Sequence, residues 1–353
     1  MIEQAHDKPS PGDSATSPAD NDLTLELTLD ECLKPPTDQH SLLVGFHFET
    51  ASKPHDHPAV VSLNLDPLNQ KRLFECWWYR GDVGHRTFGT AMISECDDYA
   101  VVTVQKTEAA SGDFREFAYE AYRELLRAVR SAKHTRIVKI WNYFAGINSG
   151  DGDLEKYRQF SAGRAKAFAE LGIRDEEAPT GTAIGTLSGD AFTLIALASN
   201  RDFRSAENPR QVSAFNYPRR YGPSSPKFSR SGYVSTGNHR LFLLSGTAAV
   251  VGHKSVSPYN AEMQTDETLR NLELICEAVS ILGPGGPHLV LDEESVLRVY
   301  LRDPKDFETV SRKLETALGC SSRRVAFLQG NICRRELVVE IDGVKIVRDR
   351  GGQ

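Results

Sequence analysis

The sequence predicts an α/β protein. Two observations carry that expectation. Segments with strand character alternate with segments of helical periodicity from residue 23 to residue 347. The last third then reads strand, long helix, strand, helix, strand, a compact unit of about 110 residues. At 353 residues the chain has room for two such domains.

Residues 1–22 (MIEQAHDKPSPGDSATSPADND) are polar and rich in Pro, Ser and Asp, and are expected to form a disordered acidic tail. Alternation begins at LTLELTL (23–29), which predicts a strand. Further strands are predicted at 41–48, 59–64, 99–105 and 136–144. Between the last two, FREFAYEAYRELLRAV predicts a helix with Asp113 as N-cap and Glu116 as its capping-box partner. Phe114, Phe117, Ala121, Leu125 and Val129 form its apolar stripe. A second helix is predicted over 154–171, ending at Gly172.

Strands are predicted at 181–187 and 192–198, followed by a segment, 200–235, dense in Pro, Gly, Ser and Arg. A loop that long inside a domain usually serves a function. Leu241–Leu244 reads as a buried strand opening at Ser245, Gly246 and Thr247, and 264–279 reads as an amphipathic helix. Such a strand end can present backbone N–H groups to an anion. A strand at 295–301, a helix at 304–318 and a last strand at 335–347 complete the chain. The expected division is 1–22 tail, 23–235 first domain and 236–350 second domain.

Composition is that of a globular protein, 40% hydrophobic and 25% charged. The six cysteines (32, 76, 96, 276, 320 and 333) form no CxxC pair and no zinc-ligand spacing, so no metal site is expected. Of the formal charge of −6, the first 38 residues hold nine acids against two lysines. The rest is close to neutral, which argues against non-specific nucleic-acid binding. With no long apolar run and no leader pattern, no membrane partner and a cytoplasmic location are expected.

Three features point to chemistry. In the helix 154–171, the stripe Leu154, Tyr157, Ser161, Arg164, Phe168, Leu171 places Arg164 where a core residue belongs. A buried guanidinium needs an anionic partner. That partner is either a carboxylate of the fold or a substrate carboxylate, with Tyr157 on the same face. The segment 208–232 holds Arg210, Arg219, Arg220, Lys227 and Arg230 among Tyr217, Tyr221, Phe228 and four prolines. This suits an anion site, a solvated loop, or single-stranded nucleic acid. In the last strand Glu340 lies deep in apolar sequence, where desolvation raises a carboxyl pKa and suits a general acid. Cys333, seven residues upstream, falls on the opposite face of a regular strand, so a bulge is needed to bring the two together.

On these residues the chain resembles the chorismatase family. The motifs are IWNYFAGIN (140–148), YRQFSAGRAKAF (157–168), NPRQVSAFNYPRRYGP (208–223), LSGTAAVVGH (244–253), QTDETLRNL (264–272) and LQGNICRRELVVEI (328–341), in that order. The last third also resembles the YjgF/RidA fold. The resemblance implies two related α/β halves of mixed sheets with packed helices, the C-terminal half YjgF/RidA-like, and a pocket between the halves. It implies conversion of chorismate to pyruvate without metal or cofactor. The second product is a hydroxybenzoate, with 3-hydroxybenzoate favoured, or a dihydroxycyclohexadiene carboxylate. It assigns catalysis to Glu340 and Cys333, and substrate binding to Tyr157, Arg164, Arg210, Tyr217, Arg219, Arg230 and Ala248. The implied partner is the small molecule chorismate, and a monomer is compatible with this. The alternatives are a YjgF/RidA-like carboxylate binder or enamine deaminase, and a single-stranded nucleic-acid binder. Deaminases of that fold carry an arginine where this chain reads FLQGNIC, which counts against plain deamination.

Overall fold

The computed structural model describes residues 22–29, 33–50, 55–108, 112–282, 289–319 and 324–348. The expected tail thus lies, but for its last residue, outside the described residues. The first strands are β1 (Leu23–Thr28), β2 (His40–Phe48), β3 (Val60–Leu63), β4 (Asp66–Pro67) and β5 (Leu73–Arg80). β1, β5, β2 and β3 form a four-stranded sheet in that order.

A first unit follows: β6 (Gly84–Phe88), β7 (Ala91–Glu95), β8 (Ala100–Thr107), α1 (Phe114–Ser131), β9 (Ile137–Ala145), α2 (Lys156–Glu170), β10 (Thr180–Thr186) and β11 (Ala191–Ala198). The second unit is β12 (Asp202–Ala206), β13 (Ser231–Ser235), β14 (His239–Ala248), a small ribbon of β15 (Val250–Val251) and β16 (Lys254–Ser255), α3 (Ala261–Ser280), β17 (Val296–Leu301), α4 (Phe307–Leu318), β18 (Val325–Gln329), β19 (Asn331–Ile332) and β20 (Val339–Arg348).

The two units share one wiring. The first sheet runs β6-β7-β8-β11-β9-β10-β19 and the second β12-β13-β14-β20-β17-β18-β4. Each opens with a three-strand antiparallel meander. Each then makes a helix, a strand, a second helix and a parallel strand. Parallel neighbours require such a crossover. The last strand of each unit inserts antiparallel between meander and parallel pair. The edge strands are borrowed: β19 pairs with β10, and β4 with β18. The expected pair of related α/β halves is therefore the observed architecture, though no sequence repeat announces it. Residues 202–235, grouped with the first domain in the sequence reading, supply β12 and β13 of the second sheet.

The helices cover the outer faces. α1 and α2 pack on the first sheet through Phe114, Leu125, Phe144, Phe160 and Phe192. α3 and α4 pack on the second through Phe242, Leu272, Val299, Leu314 and Ile341. The two inner faces meet each other and the four-stranded sheet in one core holding Phe46, Trp77, Trp141, Leu243 and Tyr300. Trp77, Trp141 and Phe46 pack with ring centroids 5.3–6.3 Å apart. At this junction the Arg298 guanidinium stacks 4.0 Å from the Phe46 ring and grips buried Glu75 with two hydrogen bonds of 2.7 and 2.8 Å. Removing either charge would strand the other, at about 3–5 kcal/mol.

Local signals behave as the chemistry dictates, with three differences. Asp113 does cap α1, accepting from the Arg115 amide, but Glu116 instead receives Lys166 at 2.9 Å. Leu154 precedes α2 and is 73% exposed, so the stripe begins at Tyr157. The final strand begins at Val339, not residue 335, because Leu337 N–H turns back to the Arg334 carbonyl.

Candidate active site

The site grows from an irregularity between two neighbouring strands. β14 pairs with β20 in regular register up to Leu244–Gly343 and resumes at Thr247–Ile341. Ser245 and Gly246 together face one residue, Asp342, which is a β-bulge. Ser245 fixes it: its hydroxyl accepts from the Gly181 amide at 2.8 Å and donates to the Ser229 carbonyl at 2.5 Å. Gly246 then leaves space for Glu340. A Cβ at 246 would meet Glu340 Oε1 at 2.0 Å. Only glycine lets the carboxyl lie there.

Glu340 lines a cleft of about 400 Å³ between the two units. It is 4% exposed. Desolvation first, and the neighbouring Asp342 charge second, push its carboxyl up to about 8. Among the described residues no hydrogen bond to this carboxyl is present. A buried acid that keeps its proton at neutral pH and faces a cavity is equipped to donate it.

Cys333 also lines the cleft, by a route other than the expected bulge in one strand. It follows β19, and the turn at 334–337 returns the chain so that both residues reach the same cavity. Burial pushes its thiol up to about 12, with the Glu340 charge adding to the effect. Such a shift favours the neutral thiol over the thiolate. Ala248 is the direct cross-strand neighbour of Glu340. Tyr157 reaches the cleft from α2 in the first unit, and desolvation raises its hydroxyl well above the ordinary value.

Cationic groups line the same cleft. Arg230 is 5% exposed and donates to the Tyr217 hydroxyl at 2.6 Å and the Val212 carbonyl at 3.1 Å, while its Nε has no partner among the described residues. Its guanidinium lies 5.1 Å from the Phe228 ring. Tyr217 also faces Arg334, 5.2 Å away. Arg164 is buried and is not among the residues that line the cleft. It lies 4.8 Å over the Phe160 ring, near enough to Tyr157 to act on its hydroxyl. Among the described residues its Nε and Nη2 have no hydrogen-bond partner, and no carboxylate pairs with it.

Two sequence candidates lie elsewhere. Arg210 pairs with Glu267 of α3 at 2.8 Å, and Arg219 donates to Asp153 at 2.9 Å. Neither is among the residues that line the cleft. Sequence reasoning missed Arg334, whose guanidinium lies 4.2 Å from the Tyr221 ring and donates to the His253 carbonyl and the Ser255 hydroxyl, both at 3.0 Å. It also missed Arg158, Arg335 and Glu336 on the rim. The signal for Arg334 was present in CRRELVVEI, two arginines directly after a cleft cysteine. Among the described residues no cluster of His, Cys, Asp and Glu suited to a metal is present, and no helix is long and apolar enough to cross a membrane.

Comparison with known proteins places this geometry. Residues 75–198 match the N-terminal domain of the FkbO/Hyg5-like chorismatases. A chorismatase from Streptomyces hygroscopicus is 33% identical over 238 residues, spanning 66% of this chain and 68% of that protein. A 3-hydroxybenzoate synthase from the same organism is 31% identical over 242 residues, spanning 66% and 70%. A chorismatase crystal structure superposes with a TM-score of 0.82 at 27% identity, over 92% of this chain and 98% of that one. The chain belongs to the chorismatase family.

Proposed function

We propose that this protein converts chorismate to pyruvate and an aromatic or cyclohexadiene acid, with 3-hydroxybenzoate the favoured product. The observation that carries the reading is Glu340: a buried carboxyl, held near 8, facing a cleft that arginines also line. Chorismate has two carboxylates and an enolpyruvyl ether. Arg230 and Arg334, backed by Arg164, supply cations for the carboxylates. Glu340 donates its proton to the enolpyruvyl methylene carbon, and the ether oxygen stabilises the resulting cation. The adjacent ring hydroxyl then displaces the ether oxygen from the ring, the bond electrons pass to that oxygen, and pyruvate leaves as its keto acid. The epoxide so formed gives up the hydroxyl proton and opens at its original ring C–O bond, the oxygen takes a proton, and the hydrogen of the attacked carbon leaves as a proton that returns to Glu340 and restores aromaticity, so hydroxybenzoate and pyruvate together account for every atom of chorismate.

Water adding to the cation instead would give the dihydroxycyclohexadiene acid. Ala248, directly across from Glu340, is a small residue that leaves room either for that water or for the substrate's own hydroxyl to attack. Resemblance to a protein named 3-hydroxybenzoate synthase supports 3-hydroxybenzoate as the product. Tyr157 and Cys333, both neutral, line the space around the ring without taking the proton. Nothing in this reading requires nucleic acid, and a cytoplasmic location is consistent with it. The test is to add chorismate, follow pyruvate with a lactate dehydrogenase couple and identify the second product by chromatography. Release of pyruvate with 3-hydroxybenzoate is expected; no pyruvate above the uncatalysed background overturns the reading.

A further inference from the structure

Behind Glu340 lies a second group of charges that the reaction above does not use. Asp342 shares the inner face of β20 with Glu340, two residues and about 7 Å further along the strand. Lys139 of β9 approaches from the first unit. Its ammonium sits 3.6 Å from Asp342 Oδ2, and both side chains are fully buried. Thr182 of β10 donates to the same Oδ2 at 2.6 Å. Lys139 also donates to Thr182 Oγ1 at 3.3 Å and to the Leu244 carbonyl, and lies 4.8 Å from the Trp141 ring.

As a structural ion pair this is poor. The charge separation is long, and Asp342 Oδ1 is buried with no hydrogen-bond partner among the described residues. Apolar side chains would fill the space at lower cost. A lone pair left open inside the protein keeps the negative end of the cluster strong where it adjoins Glu340.

We infer that Lys139, Asp342 and Thr182 form a positioning cluster, built across the two units, whose task is to hold Glu340 in its acid form between turnovers. This rests on the assignment of Glu340 as the proton donor. Asp342 opposes ionisation of Glu340, and Thr182 holds it in place. Lys139 offsets the charge of Asp342 so that the cluster can be buried. After Glu340 has given up its proton, the cation of Lys139 limits the energy of the transient carboxylate. The other groups acting on Glu340 are Arg230 before β13 and Arg302 after β17, with Cys333 and Tyr157 beside it. Asp342 acts on it more strongly than any of these cations, and burial lowers Lys139 to about 8.

The experiment measures the pH profile of kcat/KM for pyruvate release, together with the infrared band of the Glu340 carboxylic acid, identified as the band lost in Glu340→Gln. Asp342→Asn should move both the alkaline limb and the loss of the band to lower pH by at least about one unit, a tenfold change in proton affinity. Asp342→Glu should restore the limb towards the wild-type position. Where Asp342→Asn does not fold, the double variant Asp342→Asn, Lys139→Met removes both buried charges and should still move the limb down. If the limb and the band stay within about 0.3 unit of wild type, a twofold change, the inference falls. A fully active Glu340→Gln would instead overturn the assignment of the acid.

Discussion

β11 and β20 occupy the same place in two sheets of the same wiring, yet we assign chemistry to only one. β11 reads AFTLIALA and pairs with β8 in unbroken register. β20 reads VEIDGVKIVR and meets β14 across a bulge. The first strand is packing material on both faces. The second places two acids on its inner face, and the bulge opens space for one of them at Gly246. The first unit still contributes, through Lys139, Tyr157 and Arg164. β11 too shifts register, against β9 between Leu197 and Ala198, but that irregularity lies at the strand's end with no acid beside it, whereas the bulge facing β20 lies next to Glu340. Wiring alone therefore does not locate function in this fold.

The most direct way to break that contrast is Glu340→Gln, which makes β20 as inert as β11. Pyruvate release should fall by roughly 10²–10⁴-fold, the usual worth of a general acid. The wild-type rate should itself fall about tenfold per unit above pH 8, as the acid form is lost. Stability gives an independent check. The folded value lies above the ordinary 4.5, so the protonated group favours folding below that value, and its contribution is lost as pH rises through about 8. Melting temperatures between pH 5 and 9 should therefore decline more steeply for wild type than for Glu340→Gln. Parallel curves would show that burial does not perturb this carboxyl.

Next in size is Arg230→Met. Charged hydrogen bonds are worth about 1.5–3 kcal/mol, so KM for chorismate should rise roughly 10- to 150-fold. Circular dichroism should show the fold intact. A KM within twofold of wild type would remove Arg230 from the carboxylate wall.

How much of this contrast is legible in the sequence follows from what each signal reports. The Asp113 cap marks the start of α1 and helical periodicity its end to within two residues, because both are local. The strand LFECWWYR (Leu73–Arg80) escapes notice because it is buried almost throughout and shows no alternation. Glu340 is legible as a carboxyl in an apolar run, and Arg164 as a charge in an apolar stripe. Gly246 is not legible as its neighbour, since a bulge leaves no periodic trace. The shared wiring is invisible too, because β8, β11 and their counterparts have no sequence likeness, only equal order.

Glycines offer a finer test of support against site. At Gly163, where α1 and α2 touch, a Cβ would lie 2.4 Å from the Arg115 carbonyl oxygen. Gly163→Ala should cost about 1–3 kcal/mol of stability, with kcat/KM of the folded fraction unchanged. Gly246→Ala should instead lower kcat about tenfold or more by displacing Glu340, since a misplacement near 1 Å has large catalytic cost. Thermal unfolding and steady-state kinetics on both variants separate the two. Equal losses of stability and kcat in both would erase the distinction.

The smallest expected effect concerns the arginines that sequence alone cannot sort. Arg210 and Arg230 share one Pro- and Arg-rich segment, but the fold commits Arg210 to Glu267 and leaves Arg230 Nε open beside the cleft. Arg219 is spent in the same way on Asp153, with its side chain 65% exposed. Exposed pairs of that kind contribute about 0–1 kcal/mol. Arg219→Met should therefore leave kcat and KM within about twofold of wild type and barely move the melting temperature. A tenfold rise in KM would mean that the segment rearranges around the substrate and brings Arg219 into the wall, which would extend the working surface of the second unit well beyond the β14–β20 bulge.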